Sequence, residues 1–189
     1  KREIVKKEFI DIEDYLASLE LKITIFKDDK SIISRMSQIS QKTNQFNLTT
    51  KRYTEGDIKS FIENEVSKVI AFSVSDKFGD SGVTGLCIIN FHDETQSGEI
   101  DTLLMSCRII GRNIEYAFID YIIKIIEEKK ANVIKAKYIK TQKNEQVKEF
   151  YEECSFSLAK SCDSFRNYTL DINNYTHKQL NYIEVVNGK

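Results

Sequence analysis

Residues 101–115 have the residue types and spacing of an anion-binding site. An apolar, strand-like run ends at a basic turn that contains Arg108, Gly111, Arg112 and Asn113, and a helix-like pattern follows. The first N–H groups of a helix have no intrahelical partner, and the helix dipole favours negative charge there. The sequence therefore predicts that this turn holds a phosphate or a pyrophosphate. The Cβ of Asn113 would keep a pyrophosphate off the backbone, which favours a single phosphate on a tethered arm.

Two residues beside this turn could take part in catalysis. Cys107 precedes a cation and a helix start, both of which lower the pKa of a thiol, so it could carry an acyl thioester. Alternatively, Cys107 is buried and only fills space in the apolar core, which is the commoner role of a lone cysteine. Asp101 could act as a general base, with Glu99 on the same strand face. Alternatively, Asp101 lies on an exposed strand edge and has no catalytic role.

A polar loop and a run of lysines could bind a substrate or a partner. The loop 41–50 is dense in amides and hydroxyls, and Asn44, Gln45 and Asn47 could bind a polyol or phosphate. The same side chains could instead pin the helices to the sheet. The lysines of the second feature are Lys135, Lys137, Lys140 and Lys143. They could form a basic patch for an acidic protein, although such lysines are usually a solvated face.

The elements that position these residues follow from hydrophobic periodicity. Helices are predicted over 11–19 with Asp11 as N-cap, from Ser31 to about 39, from Thr54 to about 66, over 112–129 and over 144–153. Strands are predicted over 21–26, 69–75, 83–91, 98–105, 133–139, 156–160 and 165–171. This order predicts an α+β fold with a mixed, mostly antiparallel sheet flanked by helices, in which helix 112–129 crosses between two parallel strands.

The composition limits the domain organisation and the compartment. The 189 residues are 41% hydrophobic, which predicts a folded chain. The segments along it predict an N-terminal helical and strand segment over 1–66, a core over 67–171, which is the part that resembles a known family described below, and a polar, partly mobile tail over 172–189. Net charge is −1 and no apolar run approaches about 20 residues, so neither nucleic acid nor a membrane is an expected partner. Four cysteines without metal-site spacing and two histidines predict no metal and a reduced, cytoplasmic protein. The absence of an initial Met suggests an excised piece of a longer chain.

The basic turn and the element order resemble the GCN5-related N-acetyltransferases (GNAT). Arg108 and Gly111 match the first two fixed positions of the family's Arg/Gln-x-x-Gly-x-Gly/Ala loop. At the third position, where the family has a small residue, this chain has Asn113. The resemblance implies coenzyme A or carrier-bound phosphopantetheine as the ligand, held by Arg108, Gly111, Arg112, Asn113 and Asn144.

A downstream segment also resembles that family. The run from Asn144 through Phe150 and Tyr151 to Phe156 matches its pattern, with Ser155 in the glycine position. In this resemblance Tyr151 protonates the leaving thiolate and Asn144 holds the pantetheine arm. The alternatives are a tyrosine packed in the core and an asparagine that caps a helix.

Four segments, 41–53, 75–80, 106–112 and 138–144, resemble the C-terminal half of FkbH-type proteins. In that family a haloacid-dehalogenase-type (HAD-type) domain precedes a GNAT-like domain. The resemblance implies loading of a glycerate-derived unit from a phosphorylated donor onto an acyl carrier protein, the start of methoxymalonyl-type extender synthesis. The implied partners are that carrier protein and the HAD-type domain of the same chain, whose Asp-x-Asp motif is missing from these residues. A non-catalytic carrier-binding module and a free-standing acetyl-CoA-dependent N-acetyltransferase are the alternatives.

Overall fold

A computed structural model describes residues 12–188. Its helices are α1 Ile12–Ala17, α2 Ile33–Lys42, α3 Glu55–Glu63, α4 Ile114–Glu128 and α5 Phe150–Glu153. Its strands are β1 Leu21–Lys27, β2 Phe46–Asn47, β3 Ser67–Asp76, β4 Gly79–His92, β5 Ser97–Met105, β6 Val133–Ile139, β7 Ser157–Ser161, β8 Phe165–Asp171 and β9 Ile183–Asn187. Single 3₁₀ turns lie at Lys30–Ile32, Asp93–Thr95, Cys107–Ile109, Glu145–Val147 and Ile172–Asn174.

The strands of this described part form one sheet in the order β7-β8-β6-β5-β4-β3-β1-β9, with β2 against β5. The pairs β5–β6 and β1–β9 are parallel, and the other pairs are antiparallel. Helix α4 joins β5 to β6 and is therefore the predicted crossover. The predicted fold class, a mixed and mostly antiparallel sheet flanked by helices, is confirmed.

Helices cover both faces of the sheet. Met36 and Ile39 of α2 and Ile58 of α3 are buried in an apolar cluster on one face. Phe118 and Ile122 of α4 belong to the larger cluster on the other face. Each such side chain contributes about 1.5–3 kcal/mol when fully buried, so packing holds these helices more than helix propensity does.

Several predicted element ends differ in the structure. Asp29, not Ser31, caps the 3₁₀ turn that leads into α2, because its carboxylate accepts the N–H of Ser31. The predicted helix 144–153 is a 3₁₀ turn followed by the four-residue α5. The capping box of Thr54 with Asp57 at the start of α3 is confirmed. The predicted cap at Asp11 lies outside the described residues.

The C-terminal segment is part of the sheet rather than a loose tail. Strand β9 pairs with β1, and the side chain of Ile183 joins the core. The buried carboxylate of Asp120 on α4 anchors the preceding residues, since it accepts hydrogen bonds from the Tyr175 hydroxyl (3.1 Å) and the Lys178 backbone N–H (2.9 Å) and pairs with His177 Nδ1 (2.9 Å). Composition gave no sign of this anchoring, because its partners lie more than 50 residues away in the chain.

Strands β5 and β6 separate halfway along their length, and the chain fills the gap with its own backbone. The two strands pair only as far as Ile100 and Ala136. Beyond that point the Leu48 N–H donates to the Leu103 carbonyl (3.1 Å), and the Ile139 N–H donates to the Leu48 carbonyl (2.7 Å). Part of the predicted loop 41–50 is therefore strand β2 and a bridge between β5 and β6.

Candidate functional site

An open cavity of about 700 Å³ lies where α2, the end of β5 and the loop after β6 meet. We call it the basic cavity, because its charged lining is Arg35, Lys42, Arg108 and Lys143, without an Asp or Glu. None of these four cations forms an ion pair with a carboxylate in the part of the chain that the structure describes. Cations left unpaired in one concave site create a positive potential that attracts an anion.

The basic cavity also contains a thiol and several amides. Cys107 lines it and is exposed, and it is the one predicted catalytic residue of the three that does so. The amides in the lining are Gln38, Asn44, Gln45 and Gln142. Asn44 and Gln45 therefore lie beside Cys107, and their predicted role in substrate binding stays a prediction.

Thiol labelling should distinguish the exposed cysteines from the buried ones. We expect N-ethylmaleimide at pH 7.5 to label Cys107 and Cys162, which are exposed, within minutes. Cys87 and Cys154 are buried, and burial raises the pKa of both, that of Cys154 to about 12, so neither presents a thiolate. Peptide mass spectrometry would measure the rates, with full labelling in denaturant as the control. Labelling of Cys154 as fast as Cys107 would contradict the described packing.

Asp101 is held by two groups from the loop before α3. The Nζ of Lys51 lies 2.5 Å from its carboxylate, and the hydroxyl of Tyr53 donates to the other oxygen. Burial, followed by the hydrogen bond to Asp101, raises the pKa of Tyr53. The general-base role of Asp101 stays a prediction. The sequence gave no signal for Lys51 and Tyr53, because they lie about fifty positions away.

Tyr151 lies in the core, away from the lining of the basic cavity. Its ring packs against Phe150, Phe156 and Tyr168, and its hydroxyl has no hydrogen-bond partner within residues 12–188. Burial raises the pKa of this phenol well above its usual range, which makes it a weaker proton donor. Its role as the acid that protonates a leaving thiolate remains a prediction.

Two asparagines predicted to bind ligand connect backbone segments in the structure, and their role in binding stays a prediction. Asn144 is fully buried; its amide donates to the carbonyls of Asn47 and Ile139, each at 2.9 Å, and its oxygen accepts the N–H of Thr141 (2.8 Å). Although Asn144 precedes a 3₁₀ turn, its side chain makes no cap bond. The side chain of Asn47 bonds within its own loop, to the Thr43 carbonyl and the Thr50 N–H. Both therefore hold β2 in the gap between β5 and β6.

The basic turn has a different internal arrangement from the predicted one. The guanidinium of Arg112 lies 3.0 Å from the carboxylate of Asp76, and the side-chain exposures are 10% and 1%. It also donates to the Arg108 carbonyl (2.8 Å), so Arg112 holds the turn together. Asn113 adopts a left-handed conformation, and its amide donates to the hydroxyl of Tyr182 (2.6 Å).

A carboxylate of the chain lies at the start of α4. Glu115 is 8% exposed, and the nearby backbone N–H groups of Gly111 and Glu115 act to lower the pKa of its carboxyl. Burial is the larger effect, so the pKa is raised overall. Its Oε2 has no hydrogen-bond partner among the described residues. Backbone N–H groups at a helix start suit an oxyanion such as a phosphate of coenzyme A.

A small cavity of about 120 Å³ lies beside Glu115, between α4 and the 145–153 segment. The ring of Tyr116 stacks on that of Phe150 at 5.9 Å, and its hydroxyl donates to Glu153 (2.7 Å). Two carboxylates, those of Glu115 and Glu153, therefore line this space. A phosphate that entered this space would therefore meet both carboxylates.

Sequence reasoning missed part of the basic cavity and misplaced part of the lysine patch. Arg35, Gln38 and Lys42 line the cavity from one face of α2. Their i, i+3, i+7 spacing was a signal for a shared face, although not for its partners. The predicted lysines divide: Lys143 lines the basic cavity, and Lys140 lines a separate cavity next to Cys162. Lys135 and Lys137 are exposed along β6.

Comparisons with known proteins place the fold. No protein-family model and no curated protein matches the chain in sequence. Solved structures do match. The spermidine N-acetyltransferase SpeG of Vibrio cholerae, solved with CoA and spermine, matches with a TM-score of 0.61 and 11% identity over 81% of this chain and 97% of that one.

Two other matches have similar scores. The Escherichia coli ribosomal-protein-S18-alanine N-acetyltransferase has a TM-score of 0.60 and 12% identity over 79% of this chain and 94% of its own. Ard1 of Thermoplasma volcanium has a TM-score of 0.61 and 16% identity over 79% and 97%. The chain therefore has the fold of the GNAT N-acetyltransferases. None of these structures bears on the FkbH-type resemblance.

Within 12–188 no helix has the length and apolar character required to cross a membrane. The same residues contain no group of three or more His, Cys, Asp or Glu side chains placed to hold a metal ion.

Proposed function

We propose that this chain is an acyltransferase-type domain that aids the transfer of a glycerate-derived or other acyl unit to the phosphopantetheine thiol of an acyl carrier protein, as the FkbH-type resemblance implies. The basic cavity carries the proposal, because an exposed thiol shares it with four cations that lack a carboxylate partner in the described chain. A phosphopantetheine arm presents a phosphate, two amides and a thiol. The cations suit the phosphate, and the amide side chains of the lining suit the amides of the arm.

Cys107 carries the acyl unit in this proposal. To load the carrier, the pantetheine thiolate attacks the carbonyl carbon of a thioester on Cys107, and the Cys107 thiolate leaves and takes up a proton. In the reverse exchange the Cys107 thiolate attacks the thioester of an acyl-loaded carrier, and the pantetheine thiolate leaves. The acyl unit is then held as a thioester on Cys107. A glycerate-derived unit has hydroxyls that can bond the amides of Asn44 and Gln45 in the same cavity.

Acyl loading of Cys107 tests this function directly. We expect the chain, mixed with an acetyl-loaded acyl carrier protein, to gain the mass of one acetyl group in intact mass spectrometry. The Cys107→Ser variant should gain none, because a hydroxyl is a far weaker nucleophile for thioester exchange. The Cys162→Ser variant, which removes the other exposed thiol, is the matched control and should load like the wild type.

The other possible outcomes separate a catalytic domain from a domain that only binds the carrier protein. If Cys107→Ser and the wild type both bind the holo carrier and neither is loaded, the chain is a non-catalytic carrier-binding module. Equal affinity for the apo and holo carrier at about 0.1 M salt would show that the phosphopantetheine arm does not contribute to binding. The proposed role of the basic cavity would then be wrong.

A free-standing N-acetyltransferase is the second candidate, favoured by the N-acetyltransferase activities named for the matching structures. Coenzyme A would then be held at the start of α4 by the backbone N–H groups of Gly111 and Glu115, and it would supply the acyl thioester. This candidate requires that the chain alone release free thiol from acetyl-CoA in the presence of an amine. Thiol release that survives Cys107→Ser would favour it over thioester exchange.

A further inference from the structure

We propose that Glu115 is the resident anion of the α4 start, and that it selects against coenzyme A because a phosphate must displace its carboxylate to bind there. The inference rests on the proposed function, since it concerns which phosphopantetheine-bearing ligand the domain accepts. It names Glu115 as a specificity-determining residue.

The first step is that the α4 start is built to hold an oxyanion. Helix α4 has 15 residues, so its first N–H groups carry a substantial dipole. Gly111 lies before it at φ +81°, a conformation that a side chain would strain, and a Cβ placed there would meet no atom within 4 Å. The backbone of the turn is therefore open to an anion. The carboxylate of Glu115, in the first turn of α4, is buried next to this turn and lines a small cavity together with Ile110.

The second step is that Glu115 fills the site imperfectly. The residue is 92% removed from solvent, yet its Oε2 has no hydrogen-bond partner in the described chain. A buried carboxylate oxygen without a donor is unfavourable, because it has lost its hydration without replacement. A side chain held in this way can be displaced by an anion that brings its own favourable contacts. Glu115 therefore acts as a competitor and not as an irreversible block.

The third step is the charge around the site. Glu153 lines the same small cavity, and the nearest guanidinium, that of Arg112, already lies on Asp76. The pyrophosphate and further phosphate of coenzyme A would therefore meet two carboxylates on this face of the sheet. The basic cavity lies on the face covered by α2 and has no acidic lining residue. The basic cavity thus suits the single phosphate of a tethered arm better than the start of α4 suits coenzyme A.

Calorimetric titration with coenzyme A tests this inference. Glu115→Ala removes the competing carboxylate, and we expect the Kd for coenzyme A to fall at least ~10-fold relative to wild type, equivalent to about 1.4 kcal/mol. Glu115→Gln keeps the volume and removes the charge, so its Kd should fall by a smaller factor. Glu128→Gln is the matched control, because it removes one exposed charge from the far end of the same helix and should bind like wild type.

The possible outcomes each decide the inference. Equal affinity of wild type, Glu115→Ala and Glu115→Gln would overturn it, and so would the absence of binding to all three. If Glu115→Ala does not fold, the comparison of Glu115→Gln with wild type decides. The titration requires no acyl transfer, so its failure is distinct from a failure of Cys107 loading.

Discussion

Replacing Asn144 by aspartate should lower the free energy of unfolding by about 3 kcal/mol or more. The amide nitrogen of Asn144 donates to the carbonyls of Asn47 and Ile139, and the side chain is fully buried. An aspartate would place an acceptor against both carbonyls, which removes two hydrogen bonds and buries an unpaired charge. Each unsatisfied buried group costs about 1–3 kcal/mol, and an unpaired charge costs more. Urea unfolding followed by circular dichroism would measure the change.

The control for Asn144 is a matched substitution at an exposed asparagine. Asn132 donates one side-chain hydrogen bond, to Gln96 (2.8 Å), and it is exposed. Asn132→Asp should therefore cost about 1 kcal/mol or less. Equal and small effects at both positions would show that the bonds of Asn144 do not hold β2 in place. A large effect at Asn144 would also weaken ligand binding in the basic cavity, because Asn44 and Gln45 precede β2 directly.

Removing the carboxylate of Asp76 should cost about 3–5 kcal/mol of stability. Asp76→Leu would leave the Arg112 guanidinium, which is 10% exposed, without the carboxylate that lies 3.0 Å away. Breaking one side of a buried ion pair has a cost of this size, because the remaining charge loses a close carboxylate in a place that water hardly reaches. The double variant Asp76→Leu, Arg112→Met should recover much of the loss. Thermal and urea unfolding of the four members of this double-mutant cycle would measure the coupling.

A more exposed ion pair provides the comparison. The Arg166 guanidinium lies 3.5 Å from Glu152, with side-chain exposures of 30% and 39%. Glu152→Gln should cost about 1 kcal/mol or less, because solvent screens such a pair. If Asp76→Leu lowers the free energy of unfolding no more than Glu152→Gln does, the Arg112–Asp76 pair does not stabilise the fold. That result would favour the predicted role of Arg112 in phosphate binding.

The sequence by itself determined the elements whose signals are local. The capping box at Thr54, the strand runs and the helix over 112–129 depend on residues within a few positions of one another. A strand–helix–strand order also permits few topologies, so the parallel pair β5–β6 followed from it. The glycine position of the resemblance agrees with Ser155, which adopts φ +68°. Strand periodicity and helix caps are properties of the chain segment, and for that reason they can be read before folding.

Only the tertiary structure decided which residues meet. The basic cavity joins α2, the end of β5 and the loop after β6, segments that are separated by tens of residues. Strand β2 lies in the gap between β5 and β6 because backbone groups there need partners, a requirement that no local pattern in 41–50 expresses. Arg112 pairs with Asp76 for a similar reason, since buried charges take the partners that packing brings near. The sequence thus located the strand–turn–helix segment, and packing determined that Glu115 is buried in the first turn of its helix.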